Sequence, residues 1–230
     1  MTAFLLYFNC LFDTIVLNEE EGDFVNDIFE RYCSLQVCKE SMEQAVQMMC
    51  ETYRKDGKIL VCGNGGSCAD SEHIVGELMK SFVLSRKIPQ ADTEKFEKLL
   101  GEDAEIFKNN LQQGIPAFSL CSQSGVMTAY NNDVNADLVY AQLFYASAKE
   151  NDLLIGISTS GNSKNVVNAV KVAKAMGIKS LCLTGAKDCE IDKYADCVIK
   201  VPEIETYKIQ ELHLPVYHYL CLETERILFA

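Results

Sequence analysis

The sequence predicts an α/β protein: a five-stranded parallel sheet with helices on both faces, an N-terminal helix and a helical insertion. Two observations carry that prediction. Short runs that are apolar throughout alternate with longer segments of helical periodicity, the pattern of strands covered on both sides. Two of those runs also end in unusual loops, Gly63-Asn-Gly-Gly-Ser67 and Ser158-Thr-Ser-Gly-Asn-Ser163, each of which opens a helix. Ligands of such sheets sit at the carboxyl ends of the strands.

Taken in order, Phe24, Ile28, Tyr32, Leu35, Met42, Ala45, Val46, Met49 and Tyr53 recur at three- and four-residue steps. They predict one long helix over 23–54, or two with a break near 33–40. Lys58-Ile-Leu-Val-Cys62 is the first strand, and its glycine loop leads into a helix over 68–82. Residues 83–114 are charged and read as helical from Thr93 to Gln113, broken at Pro89 and Gly101. Ile115–Cys121 is the second strand, followed by a helix over 124–149. Asp152–Ile157 is the third strand, with a helix from Lys164 to Met176. Ile178–Leu183 and Cys197–Val201 complete the sheet, and Tyr207–Leu228 forms the last helix. Repeats and low-complexity linkers are absent.

The 230 residues, 48% of them hydrophobic, suffice for one sizeable core. The net charge of −12 and the lack of a Lys/Arg cluster argue against nucleic acid as a partner. An acidic surface also repels a phosphorylated ligand at long range, so a phosphate site must work through local donors. The eleven cysteines contain no Cys-x-x-Cys. Cys62, Cys121, Cys182 and Cys197 fall in or beside apolar strands, where a thiol behaves as a small core residue. Free thiols and a reducing cytoplasm are therefore expected. The apolar segment Met1–Leu17 lacks a basic start and a small-residue cleavage site, and no apolar run reaches about 18 residues, so no membrane span is expected. This segment is expected to pack on a neighbouring subunit or to be partly disordered.

Ser158, Thr159, Ser160 and Ser163 follow a buried strand and precede a helix. Hydroxyls and free amides at a helix N-terminus form a neutral cradle for an anion. With neither Gly-x-x-x-x-Gly-Lys-[Ser/Thr] nor Gly-x-Gly-x-x-Gly present, the cradle suits the phosphate monoester of a sugar rather than a nucleotide. The bland alternative is an ordinary hydroxyl N-cap, which needs only one such side chain. In the other loop, Gly63, Gly65 and Gly66 allow a close backbone approach or positive φ, where a plain turn needs one or two glycines.

Of the three histidines, His73 lies four residues before Glu77 on the helix that leaves the glycine loop. The pair shares one helical face, as an ordinary surface pair also does. His213 and His218 lie with Gln210 on the last helix. One of these histidines alone reads as a core residue; with the neighbouring carboxylate and carboxamide they suggest a Zn²⁺ site. Gln210 and His218 are about 12 Å apart along a regular helix, so a bend at Pro215, long side chains or a neighbouring subunit would have to reconcile them.

Gly-Asn-Gly-Gly-Ser (63–67), His73-x-x-x-Glu77, Asn132-Asp133, Ser-Thr-Ser-Gly-Asn-Ser (158–163), Leu183-Thr-Gly185 and Ile209-Gln-Glu-x-His213-x-x-x-x-His218 occur in that order. Together they resemble the sugar isomerase (SIS) domain family, in particular its phosphoheptose isomerase branch, over roughly residues 40–228. The resemblance implies a flavodoxin-like SIS fold, with 23–230 a single SIS domain and 1–22 an N-terminal extension. It implies aldose–ketose isomerisation of a phosphorylated sugar through an enediol, from sedoheptulose 7-phosphate to a D-glycero-D-manno-heptose 7-phosphate type of product. Carried over by position, Ser158, Thr159, Ser160 and Ser163 hold the phosphate. Asn64, Gly65, Gly66, Asn132, Asp133, Glu77 and Gln210 contact the sugar. His73, Glu77, Gln210 and His218 match zinc ligands, and Glu77 and His218 match the acid–base pair. Whether Glu77 is a ligand or a free base stays open. A homotetramer with sites at subunit interfaces is also implied.

The chain departs from the family pattern in three places: the insertion at about 83–114, Lys80-Ser81 where an arginine is usual, and Glu205-Thr-Tyr-Lys208 where an acidic residue commonly precedes the last motif. Two other readings of the family are a scaffold that binds a protein such as a replication initiator, and a sugar-phosphate sensor. The full set His73, Glu77, Gln210 and His218 favours the enzyme, because neither alternative needs it.

Overall fold

The structure, a computed structural model, describes residues 28–230. The expected N-terminal extension, 1–22, and the packing expected of it lie outside these residues. A 3₁₀ turn at Cys33–Cys38 divides the first helical segment and leads into α1, Lys39–Arg54. Its buried Met42, Ala45, Val46 and Met49 fall at helical spacing, one apolar stripe turned to the sheet. The chain continues through β1 (Ile59–Gly63), α2 (Gly66–Met79), α3 (Gln90–Leu100), α4 (Ala104–Asn110) and β2 (Ala117–Ser119). It then forms α5 (Ser124–Tyr130), α6 (Val139–Ser147), β3 (Leu153–Ile157), α7 (Lys164–Ala175), β4 (Lys179–Thr184), β5 (Cys197–Lys200) and α8 (Thr206–Phe229).

All five strands are parallel, in the order β2-β1-β3-β4-β5. Both faces are covered, and the period-two alternation of a strand assigns side chains to them. Ile59 and Val61 point into a core built with α1, α2 and α8, where Ile155, Leu181, Leu183, Ile74, Leu78, Val216 and Leu220 meet. Leu60 and Cys62 point into the other, with Leu154, Cys182, Phe144, Val166 and Val170. Gly156 lets α7 pack tightly on β3, since a Cβ there would stand 3.2 Å from both Cys182 Sγ and Val166 Cγ1. Among the described residues every cysteine is free. Burial pushes the thiols of Cys62 and Cys182 well up, so they remain protonated packing groups.

Three elements differ from expectation. The second strand is three residues long rather than seven, because the Ser119 hydroxyl accepts the Cys121 amide at 3.2 Å and the chain coils into the 3₁₀ turn Leu120–Ser122. The helix expected over 124–149 is interrupted by a π-helical turn at Asn131–Asn135 and a 3₁₀ turn at Ala136–Leu138. There the extended Asn135 takes the Asp137 amide on its own side chain at 2.8 Å, as short amides do when they compete with the helix. The 83–114 segment is helical only from Gln90, in two pieces separated at Gly101, whose φ is +57°. Residues 81–89 form an irregular strap across the end of α2.

Candidate active site

The strand order reverses direction between β1 and β3, and both unusual loops leave from that point. Gly63 is in register with Ile157, so Asn64–Gly66 and Ser158–Ser163 start side by side. Asn64 and Asn165 exchange two side-chain hydrogen bonds, 2.8 and 2.9 Å, and lace the loops together. This is where an open α/β sheet binds ligands.

The glycines of the first loop are required for different reasons. Gly65 has φ +57°, which favours a residue without Cβ. A Cβ on Gly63 would lie 2.6 Å from Ser67 O, and one on Gly66 would lie 2.6 Å from Gln210 Nε2. Gln210, at the start of α8, is thus held against the first turn of α2.

In the second loop the hydroxyls do not act as ordinary caps. Ser163 stands at the N-cap of α7 but makes no side-chain capping bond, and its Oγ accepts from Ser158 Oγ at 3.0 Å. Ser160 Oγ accepts from the Asn162 amide at 3.2 Å, and Thr159 O accepts from the Gly185 amide at 3.0 Å. Gly161, at φ +63°, closes the turn against Cys189. The loop is held by its own backbone and neighbours, while the opening amides of α7 have no partner within the helix. That is the donor set for a phosphate dianion at a helix N-terminus.

Helices α2 and α8 run alongside one another in the same direction. Gln210 meets Gly66, His218 meets His73, and Glu225 meets the strap that follows α2. His73 Nε2 lies 3.2 Å from Glu77 Oε1, the expected contact of residues four apart on a helix. The His73 Nδ1 shares a 2.9 Å hydrogen bond with Tyr217 Oη, which donates in turn to Asp70 Oδ1 at 3.4 Å. Lys80 Nζ donates to Glu77 Oε2 at 2.6 Å. The His218 ring packs on His73, Tyr217 and Phe82, with centroids 5.1, 5.1 and 5.6 Å away. Burial, then the proximity of His73, draws His218 below its ordinary pKa against the pull of Glu77. A neutral imidazole beside a mostly buried carboxylate is equipped to accept and return a proton.

Two ligands of a tetrahedral zinc, each about 2.0–2.1 Å from the metal, stand about 3.3 Å apart. His73 Nε2 and Glu77 Oε1 have that spacing at 3.2 Å. His218 Nε2 is buried and has no hydrogen-bond partner, as a nitrogen oriented for a ligand would be. The types of donor fit zinc. Among the described residues, however, no group of three or more His, Cys, Asp or Glu side chains is arranged to hold a metal ion. Pro215 lies within one unbroken helix, so Gln210 stays more than two turns from His218.

His213 is separate from this cluster. It is fully buried, with Nε2 3.4 Å from Thr184 O, and burial lowers its pKa to about 4. It is the core histidine of the three. Asn132 and Asp133 are exposed on the π-helical turn and bond to each other at 2.8 Å, with no hydrogen bond to the other candidate residues. Sequence reasoning passed over Asp70 and Tyr217. Asp70 was legible, since positions 70, 73 and 77 share one helical face. Tyr217 was not, because periodicity does not direct it and its neighbour His218 to the same side chain.

The hydroxyl loop at the reversal point of a parallel five-stranded sheet is the arrangement of a SIS-domain protein, and two SIS domain family models match, over residues 23–109 and 125–219. The phosphoheptose isomerase of Helicobacter pylori strain P12 is 36% identical over 193 residues, 84% of this chain and 87% of that protein. The solved phosphoheptose isomerase of Neisseria gonorrhoeae is 29% identical with a TM-score of 0.68, covering 90% of this chain and 96% of that one. That of Francisella tularensis is 25% identical, also at 0.68, over 90% and 98%. The chain belongs to the phosphoheptose isomerase family of SIS-domain proteins.

Proposed function

We propose that this chain is an aldose–ketose isomerase that converts sedoheptulose 7-phosphate to a D-glycero-D-manno-heptose 7-phosphate. The observation that carries the reading is Glu77 near a neutral His218 on adjacent helices, in a chain that also carries the hydroxyl loop. Because Glu77 lies in the last turn of α2, toward the amino ends of the strands, the loop that meets it belongs to a neighbouring subunit. The loop and the α7 amides bind the phosphate and fix the far end of the sugar. Glu77 takes the proton from one of the two reacting carbons, giving the enediol, and returns it to the neighbouring carbon. His218 moves the second proton between the two oxygens. Asn64, Gly65, Gly66, Gln210, Asn132 and Asp133 orient the chain of hydroxyls. His73, Glu77, Gln210 and His218 supply donor types that suit zinc, of which His73 and Glu77 alone stand at the spacing of two ligands within this chain. Zinc would polarise the substrate oxygens when bound.

The chain is proposed to assemble as a homotetramer with sites at subunit interfaces, which would cover exposed apolar side chains such as Leu99, Ile106, Phe118 and Tyr145. Free thiols among the described residues support a cytoplasmic setting.

The decisive experiment incubates the purified chain with sedoheptulose 7-phosphate, with and without chelator, and follows aldoheptose 7-phosphate by NMR. Product lost on chelation and regained with Zn²⁺ is the expected result. Binding without product points to a sensor, and neither binding nor product to a protein-binding scaffold. Ser160→Ala is expected to raise KM about tenfold, as one hydrogen bond to a charged group is lost; an unchanged KM places the phosphate elsewhere.

A further inference from the structure

Glu77 stands in the last turn of α2, which ends at Met79. Helix ends fray, and the last four carbonyls of a helix have no partner within it. The last turn of α2 holds no basic residue to offset those carbonyls. That role falls to Arg86, from the strap that follows. Its Nη1 donates to Leu78 O at 2.8 Å and its Nη2 to Glu77 O at 3.2 Å. Its Nε donates to Glu225 Oε1 at 2.6 Å, with the Arg86 and Glu225 side chains 0% and 1% exposed. The Glu225 carboxylate also accepts the amides of Phe82, Val83 and Leu84, at 2.8, 2.8 and 3.0 Å.

Glu225 lies seven residues beyond His218 on α8, so the two share a helical face. One buried ion pair therefore spans the gap between the helix of Glu77 and the helix of His218. It also fixes the strap whose Phe82 ring rests on His218. Stability alone does not call for it: well-packed apolar residues of like volume often match or exceed a buried ion pair. What the pair adds is direction, because its fan of donors and acceptors is satisfied in one register only.

We propose that Arg86, anchored by Glu225, is a positioning residue that sets Glu77 against His218 and thereby governs the proton-transfer step. This rests on the acid–base reading of those two residues. Nothing in the pair reaches the hydroxyl loop, so phosphate binding is independent of it.

The test measures kcat and KM for sedoheptulose 7-phosphate with the full chain, its Arg86→Gln variant and an Arg86→Met/Glu225→Gln double variant, each checked by circular dichroism and thermal melting. The double variant leaves no unpaired buried charge, so it keeps the fold if the single variant does not. The expected result is a fall in kcat of about ten- to a hundredfold with KM within about twofold. A folded double variant with the kcat of the parent overturns the proposal. So does a rise in KM matching the fall in kcat, which signals general loosening. If the parent chain does not isomerise the sugar, the acid–base reading fails first and the positioning role falls with it.

Discussion

Glu77→Gln is expected to lower kcat by about 10³-fold or more while the chain still binds the sugar phosphate. Gln is close to isosteric: its oxygen can still accept from Lys80 and its NH2 can donate to His73 Nε2, the groups that contact Glu77 at 2.6 and 3.2 Å. It has no basic oxygen for a carbon-bound proton. General base catalysis by a positioned group contributes about 10²–10⁴-fold, and here the same group must also return the proton, so the loss belongs at the upper end. Isothermal titration with the substrate and a coupled turnover assay measure the two quantities separately. Turnover near that of the parent would remove Glu77 from the chemistry. Loss of binding together with turnover would make it a substrate or metal anchor rather than the base.

The second large effect is on stability. Glu225→Leu leaves Arg86 buried without its carboxylate and strands three backbone amides of the strap. Removing one partner of a buried ion pair costs about 3–5 kcal/mol, to be read from urea unfolding. The same carboxylate makes the fold acid-sensitive. Burial alone would raise the Glu225 pKa. The amides of Phe82, Leu84 and Val83, with Arg86, more than offset that and hold it below the usual carboxylate range. A group depressed in the folded state binds its proton more readily in the unfolded chain. Its stabilisation is therefore fully present above the unfolded value and is lost as pH falls through the lower, folded one. Stability of the parent should decline below about pH 4.5, and Glu225→Leu should remove part of that dependence. Parallel acid-unfolding curves for the two proteins would show that other carboxylates govern it.

Much of this was legible in the chain. Continuous apolar runs such as Ile59–Cys62 and Leu153–Ile157 mean strands buried on both faces, and such strands must be parallel and flanked by helices. The hydroxyl loop and the His73/Glu77 pair were legible because each lies within one stretch of chain, where loop composition and helical spacing act locally. The short second strand and the interrupted helix after Ser124 were not, because Ser119 and Asn135 redirect the backbone with their own side chains.

The sequence by itself determined the fold class and singled out the Ser158–Ser163 loop and the two helices that bear the candidate residues, because periodicity and loop composition are properties of contiguous residues. Only the tertiary structure decided that His213 is the core histidine while His218 packs against His73, since the two differ in what the neighbouring elements bring against them. It alone joined Arg86 to Glu225, residues 139 positions apart. Their pairing depends on α8 lying parallel to α2, an outcome of packing apolar faces that no local signal encodes.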